Sequence, residues 1–551
     1  MIGLNKIGLN QVQLNRLRLN APFPTCRKMA GGGGSGDGFP VLPGDVTRWH
    51  FGGLTNEMMA AMDAPRIEDA DGKGRFLSFK NFAWKGMSGV GGYGDENYQT
   101  FYKFTLDDYV FIASPPGVEH MNFTFRVTGL QPGNKLTLAF FGTTNTVYGT
   151  WDKDGIYTVD ADIVEAGKPT YFYNGYGATR GEFTIEILPL YPGALVFDGV
   201  DDYGVCNNFP ILTKEKGYTV VALRQWIEEK NDSTALVSNC KNWGQNGAFL
   251  FEYNNLRINF LNVAISFGYV SSVDRGKSPF SYQTSKLYNG KNIEPGSLIG
   301  SNELIVGKGN KDFPTFSKAA IWELVFLDHD ATEEELTKIK DYFVKTYPWL
   351  FPDQAWTVVG KTNEDEDRAT IANITGNGND LVLSNFGFIE GSGYNKEGEY
   401  AGYLVTDGVD DEIISAKLIQ FADKFTIVGD WKFMEDRNDN AGLLKANQIY
   451  IYNATTGMRI YLKQGSKNYP FSCKKINALT SDGWVYDEKW DKYKVYPIGS
   501  DIDISSRLFL GFYSSNFTKI ALKNLGIYND QLLSKDDCIK AYNYLQTLKA
   551  K

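Results

Sequence analysis

The chain is short of the residues that most enzyme and metal chemistry uses. Its 551 residues include three histidines, the scattered His50, His120 and His329. It has five cysteines, Cys26, Cys206, Cys240, Cys473 and Cys538. No Cys/His group has zinc-ligand spacing. The odd cysteine count and unrelated spacings point to free thiols in a protein made in reducing cytosol, rather than to a Cys206–Cys240 bridge. No apolar run reaches the ~20 residues that a membrane-spanning helix needs, so no membrane span is expected. The N-terminus lacks a charged segment followed by an unbroken apolar core, so no secretion signal is expected either. Net charge is −9, and a basic surface is missing outside the first 36 residues, which argues against nucleic acid as a partner. A Ser/His/Asp triad, a phosphate-binding loop and a Cys–His nucleophile pair are also missing. The expectation is a protein that is not an enzyme and takes no cofactor, with calcium left open below.

What the chain does have is aromatic residues and glycine. Its 32 Tyr, 36 Phe and 58 Gly favour strands joined by tight turns. The length predicts about three to five domains.

Repetition organises the rest. Asp198-Gly199-Val200-Asp201-Asp202 recurs as Asp407-Gly408-Val409-Asp410-Asp411, each copy after an apolar run. Asp and Gly tolerate the backbone angles of a sharp turn, so strand, turn, strand is the reading. Downstream, Phe249–Tyr253 turns into Leu256–Phe260, and Ile449–Tyr452 turns into Met458–Leu462. Each copy then has a last strand and a closing helix. Thr332 with Glu335 forms a full capping box, and Ser534 with Asp537 gives a second N-cap. A shorter repeat precedes each copy. Trp49, Gly53, Thr55, Asn56, Asn81 and Ser88-Gly89 match Trp356, Gly360, Thr362, Asn363, Asn385 and Ser392-Gly393.

The first 20 residues repeat with period five. Ile2, Leu4, Ile7, Leu9, Val12, Leu14, Leu17 and Leu19 form four apolar pairs separated by Asn. That period suits neither a plain strand nor an amphipathic helix. Twenty residues build no core alone, so these side chains are expected to anchor the chain by packing on another one. The order is then a docking arm, 1–20; a Gly/Pro linker, 21–45; a β module, 46–94; and an Ig/fibronectin-like β insert, 95–193. A first jelly roll, 194–350, a second copy of the module, 351–401, and a second jelly roll, 402–551, follow. Units in series predict an extended rod.

The Asp-Gly-Val-Asp-Asp turn, the many short strands and the closing helix resemble the laminin-G/concanavalin-like jelly roll over 194–350 and 402–551. The resemblance implies an all-β fold of serial β-sandwich domains, two of them jelly rolls closed by a short helix, behind an extended N-terminal arm. Some folds of this kind are glycoside hydrolases with a Glu-x-Asp-x-x-Glu strand. The nearest run here, Asp501-Ile502-Asp503, lacks both glutamates.

Two sets of site residues follow. Asp198, Asp201, Asp407 and Asp410 supply hard oxygens that suit calcium, although a tight turn uses the same residues for backbone reasons. Tyr171, Tyr173, Tyr176, Trp243, Trp484 and Trp490 are candidates to stack on a glycan, the alternative being ordinary core.

Thr184–Gly193 and Gly360-Lys361-Thr362-Asn363, with the tandem acidic turns, are similar to virion fibre proteins of tailed phages of Bacteroidetes, the crAss-like group included. The resemblance implies synthesis in host cytoplasm and a place on the virion surface. The arm docks on a capsid or tail protein, with the head preferred because a short basic arm suits an acidic capsid groove. Self-association as a trimer and lectin-like binding of host-surface glycan complete this expectation. The alternatives are a bacterial surface adhesin and a glycan-degrading enzyme.

Overall fold

The computed structural model describes residues 38–550 except 94–100, 105–108, 114–119, 141–145, 163–168, 175–182, 214, 229–233, 241–246, 253–277, 293–299, 310–314, 435–440, 447–448, 455–456, 463–464, 470–474, 495–503 and 514–515. The arm with its eight apolar anchors lies outside the described residues, as does the hairpin expected at 256–260.

Strands dominate and the fold is all-β, with every described strand pair antiparallel. The first sandwich joins an eight-stranded sheet, centred on Thr219–Glu228 and Lys318–Leu327, to a six-stranded sheet centred on Tyr203–Cys206 and Leu304–Val306. Trp49, Phe197, Val220 and Leu324 from one sheet meet Leu77, Cys206, Val237 and Phe249 from the other. Side chains alternate across a strand, so the residues between these point away from that core. The second sandwich repeats the plan, with Trp356, Ile427 and Leu525 against Leu383, Ile413 and Leu444. The insert forms two four-stranded sheets around Phe125, Leu138, Phe172 and Ile185.

The segments 46–94 and 351–401 are not separate modules, because their strands complete the sandwich sheets. Val46–His50 pairs with Lys318–Leu327, and Phe76–Lys80 with Tyr203–Cys206. Gln354–Thr357 pairs with Ile520–Asn529, and Leu381–Ser384 with Glu412–Ser415. Without them each jelly roll would expose strand edges and lose a core tryptophan, Trp49 or Trp356.

The residues shared by the two copies form the lock. The Asn56 carboxamide donates to the Val90 carbonyl at 3.2 Å and accepts from the Val90 amide at 2.7 Å. Asn363 does the same with Tyr394, at 3.0 and 2.7 Å. Gly89 and Gly393 stand beside these amides with φ of +146° and +153°. A Cβ there would lie 2.4 or 2.5 Å from the carboxamide oxygen. Asn81 and Asn385 adopt left-handed φ of +67° and +68°, and donate to the carbonyls of Asp201 and Asp410.

The closing helices, Glu333–Thr346 and Lys535–Gln546, start as their caps dictate. Thr332 and Glu335 bond reciprocally, and the Ser534 hydroxyl accepts from the Asp537 amide. Both helices lie between the two sandwiches. Val221, Leu223 and Trp322 from the first eight-stranded sheet share one apolar cluster with Leu336, Ile339 and Phe343 of the first helix. Ile539, Tyr542 and Leu545 of the second helix and Val428 and Ala478 of the second sandwich complete it. The expected rod of separate beads is therefore replaced by a stack with a common layer. Among the described residues no helix is long and apolar enough to cross a membrane.

The lock can be tested by urea unfolding. Gly89→Ala meets the Asn56 oxygen on a backbone only glycine accepts easily, and is expected to cost about 3 kcal/mol. Gly53→Ala, at φ +84° with nothing within 4 Å of its Cβ, is expected to cost only about 1 kcal/mol.

Candidate functional site

The two acidic turns bring the predicted aspartates together. Carboxylate oxygens of Asp198, Asp201 and Asp202 lie within 4.8 Å of one another, and so do those of Asp407, Asp410 and Asp411. Such a cluster can hold a hard cation such as calcium. The same oxygens also close the turn. Asp198 Oδ1 accepts from the amides of Val200 and Asp201, at 2.7 and 3.3 Å. Asp202 accepts from the Asp198 amide at 3.1 Å and from the Ser88 hydroxyl at 2.9 Å. In the second copy Asp411 accepts from the Asp407 amide and from Ser392, at 2.7 and 3.1 Å. Burial, then the charge of Asp198, pushes the Asp202 carboxyl up to about 7. Burial, with the charges of Asp407 and Asp410, outweighs the turn hydrogen bonds and pushes Asp411 up to about 6.

The aromatic candidates do not form one site. Trp490 is buried core, packed at 5.7 Å against Tyr542 and 6.2 Å against Tyr486, so it offers no face to a glycan. Its φ is +61°, and Asp487 ties that turn by accepting from the amides of Lys489 and Asp491. Trp484 is half-buried, with the ammoniums of Lys492 and Lys494 at 4.7 and 4.5 Å from its ring centroid. The side chains of Tyr171 and Tyr173, and Tyr176 and Trp243 entirely, lie outside the described residues.

Sequence reasoning missed a different face. On the outer side of the six-stranded sheet lies a cavity of about 330 Å³. Val205 and Ile305, paired across two strands, make its apolar floor. Ser78 and Lys80 line it from the strand Phe76–Lys80, and Lys80 pairs directly with Tyr203. Lys308 enters from the other side, with Nζ 5.3 Å from the Tyr203 ring centroid and 4.8 Å from that of Phe316. Asn207 and the buried Glu303 close the far end. The one signal in the sequence is the alternation Phe76-Leu77-Ser78-Phe79-Lys80, which puts Ser78 and Lys80 on a shared face. It did not show that Tyr203 and Lys308, more than 100 residues away, would join them.

No protein-family model matches the chain, and no curated protein does. Solved structures do match. A sialidase of Trypanosoma rangeli in complex with sialic acid is 10% identical, with a TM-score of 0.26, over 87% of this chain and 83% of that one. The receptor-binding domain of botulinum neurotoxin D is 10% identical, with a TM-score of 0.26, over 62% of this chain and 89% of that one. Sialidases among the matches overturn the expectation that the chain is not an enzyme. Likeness at this level carries no argument for a particular activity.

A carboxyl whose folded pKa is raised binds its proton more tightly when folded. Its contribution to stability is then full below the ordinary carboxylate range, near 4, and is lost as pH rises through about 7 for Asp202. In unfolding titrations without divalent ions, Asp202→Asn is expected to gain on the wild type steadily between about pH 4 and pH 7. A difference independent of pH across that window would show that Asp202 titrates normally.

Proposed function

We propose that the protein is a virion fibre of a tailed phage, held on the particle by its N-terminal arm, and that its first sandwich binds a host-surface glycan. The cavity on the outer face of the six-stranded sheet carries the binding half of this reading. An apolar floor ringed by hydroxyl, amide, carboxylate and ammonium groups offers what a saccharide requires. Sugar C–H faces rest on apolar surface, and sugar hydroxyls need both donors and acceptors. The fibre half rests on the sequence resemblance and on the arm, whose Ile2 to Leu19 need a foreign surface or sister chains to cover them. In this reading the arm docks on a capsid protein, head before tail, and chains associate as a trimer.

Two measurements test the two halves. Full-length protein is titrated with capsular polysaccharide purified from Bacteroidetes, with bound fraction and polysaccharide chain length followed together. Saturable binding is expected, weakened about tenfold by Tyr203→Ala, the usual loss for one good contact in a partly exposed site. Deleting residues 1–20 is expected to leave that binding intact and to abolish incorporation into particles. Binding by the wild type that Tyr203→Ala leaves untouched would remove the cavity from the reading. Normal incorporation of the deleted chain would remove the fibre.

A further inference from the structure

Resting on the glycan reading, we infer that this cavity takes an acidic sugar, its carboxylate held between the ammoniums of Lys80 and Lys308. Strand register sets up the pair. Lys80 lies directly across from Tyr203 on one neighbouring strand. On the other neighbour Val306 pairs with Gly204, so the chain two residues further on reaches the opposite side of Tyr203, where Lys308 stands. Two cations thus flank one tyrosine at one end of the cavity. Lys308 is positioned there by the rings of Tyr203 and Phe316, while Lys80 is exposed at the rim.

The other end has the opposite character. Asn207 and Glu303 lie four residues along the sheet from Tyr203, a span of about 13 Å at strand rise. Charge is therefore divided, cationic at one end and acidic with an amide at the other. A neutral sugar has no use for that division. An acidic disaccharide does, because one residue brings a carboxylate and the next brings hydroxyls that donate to Glu303 and exchange hydrogen bonds with Asn207. The chain as a whole carries −9, so its long-range field repels an anionic glycan. Local cations have to supply the recognition.

The second sandwich shows that the fold itself does not ask for them. By register Ser384 and Glu412 occupy the places of Lys80 and Tyr203. Gly307 and Gly511 are equivalent, each with positive φ and each donating its amide to the neighbouring strand, at Leu236 and Leu443. Phe512 therefore stands where Lys308 does. The same scaffold is built with Ser, Glu and Phe, so the Lys, Tyr, Lys arrangement is a property of the first face and not of the sandwich.

The test uses full-length protein and isothermal titration calorimetry. The probes are oligosaccharides of two to four residues bearing glucuronic, galacturonic or sialic acid, each paired with its carboxyl-reduced form and with a sulfated neutral analogue. At least one acidic probe is expected to bind about tenfold or more tighter than its reduced form, the contribution of a charge-assisted contact. Lys80→Gln and Lys308→Gln are each expected to abolish that preference while leaving far-UV circular dichroism and unfolding midpoint unchanged. Lys308→Arg is expected to keep it, and Glu412→Gln, on the second sandwich, to leave it unaffected. Equal binding of acidic and reduced probes would overturn the inference and leave the glycan reading standing. So would a preference for sulfated probes only, or an acidic preference that survives both lysine variants. Failure of every probe, neutral and acidic, would overturn the glycan reading itself.

Discussion

The apolar layer between the two sandwiches is the constraint on which the rest of this structure depends. In each sandwich the sheet that carries the last strand, Lys318–Leu327 or Ile520–Asn529, is apolar on both faces, so its outer face has to be covered. Trp322, Val221 and Leu223 on one sheet and Val428, Ala478 and Tyr528 on the other are all buried in a single cluster. The closing helices and the turn Pro348–Leu350 fill the gap, and Tyr528 donates to the Trp349 carbonyl at 3.0 Å across it. Fully burying one Leu, Ile or Phe side chain is worth about 1.5–3 kcal/mol, so a layer of this size outweighs the freedom of a flexible rod. At its edges Gln225 bonds Thr547 at 2.9 Å, and Lys153 of the insert pairs with Asp491 at 2.7 Å. That last pair is exposed and adds little.

Polar groups inside this layer fix how the helices sit. Glu323, fully buried, accepts from the hydroxyls of Tyr342 and Tyr347 at 3.0 and 3.1 Å, and lies beside Arg48 and His50. In the second sandwich Asp430 accepts from Tyr403, Tyr542 and Gln546 and pairs with Lys475 at 2.6 Å. Burial opposes the Asp430 charge, but Lys475 and Lys523 outweigh it and hold the carboxyl well below the ordinary range. Each helix is thus tied to its sheet by tyrosine hydroxyls on a buried carboxylate. The carboxylate sits on different strands in the two copies, so the device recurs without the residues matching, and sequence comparison does not see it.

Much of the scaffold was legible because local chemistry and tertiary structure agree there. The capping box at Thr332 and Glu335, the acidic turns and the last strands each depend on residues close in sequence. The shared residues Asn56/Asn363 and Ser88/Ser392 were visible as repeats, but their meaning was not. The carboxamide of Asn56 acts across 34 residues and the hydroxyl of Ser88 across 114, so contiguity suggested a module where the fold has a lock. Trp490 failed for a similar reason. Lys489 and Asp491 beside it suggest a solvent-facing loop, and what buries its ring is Tyr542, on a helix 52 residues later.

The outer face of the other sheet in each sandwich answers to neither the lock nor the layer. Core alternation fixes Leu77, Phe79, Cys206, Leu304 and Val306 on the inside of the six-stranded sheet. Of the residues between these, Val205, Glu303 and Ile305 are buried, whereas Ser78, Lys80, Tyr203 and Lys308 are half-buried or exposed, and surface substitutions usually change stability by no more than about 0.5 kcal/mol. Duplication doubled the structural demands, which both copies meet with the same asparagines, serines and acidic turns. On the outer face nothing structural holds the copies together, and there Lys80, Tyr203 and Lys308 have become Ser384, Glu412 and Phe512. A face on which the fold is indifferent and the two copies differ in charge is where recognition can be set independently of stability. The cavity with its flanking lysines lies on that face.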